Sequence, residues 1–509
     1  MITIDGNNLS LSEVVQVARH GERVELGAEG RQAIRACRAS LETIVATDRP
    51  VYGINTGFGI FADRRIPIAD SAALSRNLIL SHAVGTGPAL AQEVVRAAIL
   101  VRANTLSKGY SGVRVEIVET LLEMLNRGVT PVVPSQGSLG SSGDLCPLSH
   151  LALVLTTDAE DNPSESGLAV FAGDVVDGKT AMQRAGLARI CLGPKEGLAL
   201  NNGATFSAAI AALVVYDALY LMDVADYALS MSLEAMMGCR SAFDLRLHTV
   251  RGHPGQVQVA GHVQEIIRGS SLIDGADRIQ DAYSLRCAPQ VMGAARDTLA
   301  FVQGLIEREI NAATDNPLIF GPDDVLSGGN FHGEPVGMVM DFLGIALSEV
   351  AAISERRTFR MTDDKLNGGL PAMLVDTPEA GGLNSGLMMP QYTAASLVLE
   401  NQTLASPDSV RSLPTSAEQE DHNANSMTAA RHAREILVNS MHVLAIEVYT
   451  AARALDLRLR QRPDAILGAG TATVYHQVRA AVPYRAGDAW WGPEIERVHR
   501  LIAERALGI

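Results

Sequence analysis

Positions 204–237 read ATFSAAIAALVVYDALYLMDVADYALSMSLEAMM, apolar almost all the way round a helix. A helix without a polar face has to be surrounded by other helices or by lipid. The longest uncharged piece, 204–216, is too short to cross a bilayer, and Asp217, Asp223 and Asp226 follow it. The stretch is therefore expected to be the central helix of a bundle, with no membrane as a partner. Apolar residues at spacings of three and four predict further helices over 31–47, 71–83, 90–107 and 113–126, then over 291–311, 336–357, 394–404 and 426–457. Aromatic residues make up 4% of the 509, so alanine and aliphatic side chains have to fill the core, as they do in mainly α, long-helix bundles. A chain this long divides into lobes, expected as a smaller N-terminal lobe over 1–200 and a long-helix bundle over 201–509.

Acidic residues outnumber basic ones by 57 to 42, a formal net charge of −15. That field repels a phosphate backbone, so nucleic acid is not expected as a partner. Cys37, Cys146, Cys191, Cys239 and Cys287 are odd in number and widely spaced, with no CxxC pair. They suggest neither a disulfide framework nor a zinc ribbon, and no metal is expected. MITIDGNNLSLSEVV has an early acid and no long apolar run, so it does not read as a secretory signal. The expected location is the cytoplasm.

Two Gly-rich segments invite a chemical reading. GDVVDGKT at 173–180 fits the phosphate-loop pattern G-x-x-x-x-G-K-[ST], but two carboxylates sit inside it, VV looks like a strand, and no βαβ alternation follows. A surface hairpin is expected there and no nucleotide. GSLGSSGD at 137–144 matches neither dinucleotide nor phosphate spacing, and Pro131, Pro134 and Pro147 stiffen its surroundings. A tight turn at Ser141-Ser142-Gly143 permits an internal reaction, because glycine has no Cβ and its amide nitrogen can approach the Ser141 carbonyl carbon. Loss of one water closes a five-membered ring. Loss of the Ser142 hydroxyl as a second water leaves an exocyclic alkene, giving a methylidene-imidazolone (MIO).

PSQGSLGSSGDLCPLSH resembles the signature of the aromatic amino acid ammonia-lyases, most closely the histidine ammonia-lyases. VYGINTGFG (51–59), NLILSHAVGTG (77–87), LALNNG (198–203), IQDAYSLRCAPQVMGA (279–294), REINAATDNP (308–317), SGGNFHGEP (327–335), GGLNSGLMMPQYTAASL (381–397) and PTSAEQEDH (414–422) are similar to further family blocks, in family order. The resemblance implies the ammonia-lyase and fumarase-like helical fold, with the MIO loop in the N-terminal lobe. It also implies a homotetramer whose active sites combine loops from several subunits, and an MIO formed autocatalytically from Ser141, Ser142 and Gly143 without metal or nucleotide. The implied reaction eliminates ammonia from an aromatic L-amino acid, foremost L-histidine to trans-urocanate. An aminomutase that returns the amine to the β-carbon, or a tyrosine or phenylalanine lyase, is the alternative.

Residue by residue, the resemblance implies Tyr52 as the base for the β-proton. A phenol titrates near ~10, so it would need a lowered pKa. Tyr283 is implied beside the MIO and the amine. Arg286 suits bidentate capture of the substrate carboxylate, and Asn202 helps to orient that carboxylate and the ring. Gln280 and Phe331 match pocket positions. Ser81-His82 and Glu420 match the positions that select histidine, since an imidazole costs free energy to bury without partners for its nitrogens. The chain departs from the family at four places. Ser141 stands where alanine is usual, Asn201 where the position is apolar, Gly333 where NFHAEP has alanine, and QEDHNANSM replaces QEDHVSM.

Overall fold

The computed structural model describes residues 1–47 and 50–509. The protein is mainly α-helical, with long helices joined by irregular loops and a few strands of two to four residues. It divides into two compact units that interleave along the sequence. The first comprises 1–216, 303–341 and 407–431, and the second 217–302, 342–406 and 432–509.

The helices form where local chemistry starts and stops them. Leu11–His20 opens on a capping box in which Ser10 and Glu13 bond each other's backbone, and it ends on Gly21 in the left-handed conformation. Val115–Arg127 buries Ile117, Val118, Leu121, Leu122 and Leu125 along one stripe and stops at Gly128, φ +75°. Thr205–Ala235 is the expected helix, with all but a few of its side chains buried. The other predicted helices run over Ala28–Ala46, Ser71–His82, Gln92–Ser107, Ala288–Glu309, Glu334–Thr362, Met388–Leu404 and Ser426–Gln461. Thr205–Ala235 and Glu334–Thr362 are long and apolar enough to cross a membrane, but 72% of the most apolar window of each is buried inside the protein.

The pattern break at 128–148 is only partly irregular. A helix runs over Leu145–Leu155, started by Asp144, with Pro147 in its first turn. Proline is tolerated there because first-turn N–H groups have no partner within the helix. In the first unit, Leu168–Phe171 and Asp174–Asp177 pair antiparallel as the expected hairpin, with Gly173 at the turn at φ +91°. The Asp177 side chain accepts the Thr180 N–H at the start of helix Gly178–Arg184. Lys179 Nζ donates to the Asp161 carbonyl at 2.7 Å. A phosphate would have to displace both.

The second unit is cross-braced by buried charge. Arg357 and Glu447 are both fully buried, and Nη2 donates to Oε2 at 2.7 Å. The Ser232 hydroxyl donates to the other oxygen of the same carboxylate, also at 2.7 Å. With several donors satisfying it, the buried carboxylate is not left unpaired.

Candidate active site

The residues of the SSG turn are clamped by backbone on several sides. Asn425 N–H donates to Leu139 O and Gly333 N–H to Gly140 O, both at 2.8 Å. Asp144 N–H donates to Gly203 O at 2.9 Å, and Gly203 N–H donates to Ser142 O at 3.2 Å. Gly143 (φ +76°) and Gly203 (φ +122°) pair as an isolated parallel bridge. A Cβ on Gly143 would lie 2.1 Å from the Gly203 carbonyl carbon, so no other residue fits. Such a compressed turn, held from outside, fits the cyclisation that the sequence resembles.

The Ser142 carbonyl oxygen accepts a second bond, from Asn202 Nδ2 at 2.8 Å. Two donors on one carbonyl stabilise negative charge that gathers there. Asn202 Oδ1 is buried without a partner among the described residues. The Asn202 backbone is fixed in turn by Arg102, which is fully buried and donates to Ala199 O, Asn202 O and Thr205 Oγ1 at 2.7–3.1 Å. Burial pulls the Arg102 pKa down to about 10, so the guanidinium stays charged at neutral pH. Asn201 is buried and donates to Ser149 Oγ at 3.2 Å.

Behind the turn, the fully buried Asp144 accepts from Ser138 Oγ at 2.8 Å, Ser207 N–H at 2.8 Å and Ser207 Oγ at 2.9 Å. Burial pushes its carboxyl above the usual range, while these donors pull the other way. One aspartate thus starts the helix at Leu145 and satisfies a first-turn N–H of the helix at Thr205. Ser207 Oγ also shares a hydrogen bond with Ser426 Oγ at 2.9 Å.

In front of the turn lies a cavity of about 1130 Å³, lined by Tyr52, His82, Ser141, Ser142, Asn202, Phe331 and Glu420, with apolar walls from Phe58, Phe61, Leu74 and Leu78. The Glu420 carboxylate accepts from both serines of the turn, Ser141 Oγ at 2.7 Å and Ser142 Oγ at 2.9 Å. Its position follows from a tight loop in which Thr415 and Glu420 exchange backbone hydrogen bonds, with Ser416, Ala417 and Glu418 left-handed between them. Ser81 Oγ lies 2.9 Å from His82 Nδ1. Burial lowers the His82 pKa, so its imidazole is neutral at neutral pH.

The expectation of an acidified Tyr52 is not met within the chain. Burial pushes its phenol up and the Glu420 charge adds to this, against a backbone hydrogen bond at Gly59 that lowers it. Gln280, Tyr283 and Arg286 belong to the second unit and do not line this cavity. Gln280 is exposed and Tyr283 is 69% exposed. The Arg286 guanidinium stacks 4.6 Å from the Tyr283 ring centre and donates to Asp281 O at 2.9 Å.

The sequence reading missed Arg102, Asp144 and Ser207, which support the turn. A lone arginine inside the apolar run AAILVRANTL, and an aspartate directly before a helix, were the available signals.

Residues 9–480 match the aromatic amino acid lyase family. The chain is 50% identical over 485 residues to the histidine ammonia-lyase of Caldanaerobacter subterraneus subsp. tengcongensis, covering 94% of this chain and 92% of that one. Its fold is similar to the crystal structure of histidine ammonia-lyase from Trypanosoma cruzi, with a TM-score of 0.90 and 37% identity over 99% of this chain and 94% of that one. It is also similar to that of tyrosine aminomutase from Streptomyces globisporus, with a TM-score of 0.92 and 34% identity over 99% of this chain and 97% of that one. On a match that spans the SSG turn, the cavity before it and nearly the whole fold, the chain belongs to the aromatic amino acid lyase family.

Proposed function

We propose that the protein eliminates ammonia from L-histidine to give trans-urocanate, using an MIO formed from Ser141, Ser142 and Gly143. The observation that carries the choice of substrate is that Glu420 and His82 both line the cavity beside the turn. A carboxylate and a neutral imidazole offer an acceptor and a complementary partner to the two ring nitrogens of histidine, whereas a phenyl ring would leave both unpaired. When formed, the MIO supplies an electron-poor alkene that takes up the substrate amine and improves it as a leaving group.

The chain's own residues do the rest. Asn202 Nδ2 and Gly203 N–H hold the Ser142 carbonyl oxygen and stabilise charge on it. Tyr52 removes the β-proton, a positioned base being worth ~10²–10⁴-fold in rate. Burial and Glu420 favour its protonated phenol, so a cation or further hydrogen-bond donors have to offset them before it acts. Phe331 and the walls from Phe58 and Leu78 exclude water around the ring of the substrate. Gln280, Tyr283 and Arg286 act from partner chains of a cytoplasmic homotetramer. The exposed Tyr283, with the half-buried Arg286 stacked on its ring and no carboxylate bonded to that guanidinium among the described residues, supports that assignment, and Arg286 then takes the substrate carboxylate.

Incubation with L-histidine, tyrosine and phenylalanine, with every product identified, tests the proposal. L-Histidine is expected to give a conjugated, near-UV-absorbing acrylate and free ammonia. A β-amino acid as the main product would make the protein an aminomutase and overturn the lyase assignment.

A further inference from the structure

We propose that His442, Glu496 and His499 form a binding site for a divalent transition-metal ion of the zinc type. The site clips helix Gly492–Ala503 onto helix Ser426–Gln461. All three residues lie in the second unit, apart from the residues that line the cavity. Their ligand atoms lie within 4.8 Å of one another. Glu496 and His499 are spaced i, i+3 and so share one face of their helix, and His442 meets them from the other helix.

The two imidazoles stack with ring centres 3.7 Å apart and planes 14° from parallel, so binding one ion between them requires the partly exposed His442 ring to turn out of the stack. Glu496 reaches both, with Oε2 3.8 Å from His442 Nε2 and Oε1 3.5 Å from His499 Nδ1. These separations are too long for good hydrogen bonds and close to the span that a bound ion closes. Metal bonds of about 2.0–2.1 Å place tetrahedral ligand atoms roughly 3.3–3.5 Å apart. The half-exposed Glu496 side chain has the freedom to make up the difference.

The Val438 carbonyl orients the His442 ring. Nδ1 lies 3.0 Å from the Val438 carbonyl, which only accepts, so Nδ1 carries the hydrogen. Nε2 is left turned toward the Glu496 carboxylate. A second-nitrogen bond to a backbone carbonyl is how metal-ligating histidines are oriented. Apolar packing holds the frame, since Ile495 lies against the cluster that contains Val443 and Ile446. Two imidazoles and one carboxylate favour Zn²⁺, Ni²⁺ or Co²⁺ over Mg²⁺ or Ca²⁺, and leave a fourth position for water.

A second cluster in the same unit lacks this opening. Asp223, Asp226 and His262 also gather, but Arg296 Nη2 already donates to both aspartates at 2.9 and 2.6 Å. There the cation is built in.

The test is titration of the full-length protein, stripped with a chelator, with Co²⁺ alone, followed by visible absorption. One Co²⁺ per chain with the strong visible bands of a tetrahedral site is expected, displaced by Zn²⁺. Affinity should fall about tenfold or more in His499→Gln and in Glu496→Gln. Zn²⁺ should raise the melting temperature of the parent protein but not that of either variant. Glu496 is half exposed, so its variant folds even where the histidine variant does not. Absence of Co²⁺ binding, or binding unchanged in Glu496→Gln, overturns the proposal.

Discussion

Ser141 is the departure from the family whose effect is most directly calculable. Its hydroxyl donates to Glu420 Oε2 at 2.7 Å, while the Ser142 hydroxyl donates to Oε1 at 2.9 Å. In the proposed MIO the Ser142 hydroxyl has left as the second water, which would free Oε1 for the substrate imidazole and leave Ser141 as the donor that fixes the carboxylate. A hydrogen bond to a charged group contributes about 1.5–3 kcal/mol net. Glu420 is half buried, so water takes over part of that role when the hydroxyl is removed. Ser141→Ala should therefore loosen Glu420 by about 1–1.5 kcal/mol, or roughly 5–13-fold in affinity. The assay is steady-state formation of the near-UV-absorbing product from L-histidine, with the intact mass measured on the same preparation. KM should rise by that factor with kcat changed less, because the contact serves substrate and transition state alike. The mass should still show ring closure, since the first residue of the turn contributes only its carbonyl. An unchanged KM in a variant that has cyclised would refute the reasoning.

Glu420→Gln keeps the shape and loses the charge. Its kcat/KM for L-histidine should fall by about 10–150-fold, the value of a charge-assisted hydrogen bond, and unchanged turnover would remove Glu420 from the imidazole role. Gly333→Ala would place a Cβ 2.2 Å from Ser426 Oγ. That overpacking should cost about 1–3 kcal/mol in chemical denaturation, and Ser426→Ala in the same chain should recover part of it. Burial pushes the Glu234 carboxyl up to about 7, although it accepts the Gly468 N–H at 3.0 Å. The folded state then holds a proton that the unfolded chain releases near pH ~4.5, so this contribution is complete below that pH and is lost as pH rises through about 7. Glu234→Gln should flatten the decline by up to about 3 kcal/mol between pH 4.5 and 8, measured as the difference from the parent.

Helical periodicity revealed the long helices because each buries a continuous apolar stripe or, for Thr205–Ala235, nearly its whole surface. It missed Leu145–Leu155 because the Gly, Ser and Pro content just before it hides a helix whose start is set by Asp144, not by periodicity. Leu245–Arg251 offers too few turns to show a stripe, and in Pro254–Ile266 the buried face includes Gly255 and Gln256, which blurs it. For the site, sequence blocks scattered from Tyr52 to Glu420 meet on one cavity, which spacing along the chain does not reveal. The supports were hidden for a different reason. Arg102 and Asp144 act through contacts with Asn202 and Ser207 at long sequence separation, and only folding brings these together. The elevated phenol of Tyr52 was likewise beyond the sequence, since it follows from burial and from the nearness of Glu420.

The central claim is that three consecutive residues have condensed into an electrophile, and weighing the intact, freshly purified protein tests it most directly. The mass should fall below that of the translated chain by two water molecules, and Ser142→Ala should fail to lose the second of them. The full translated mass for the unaltered protein would contradict the account.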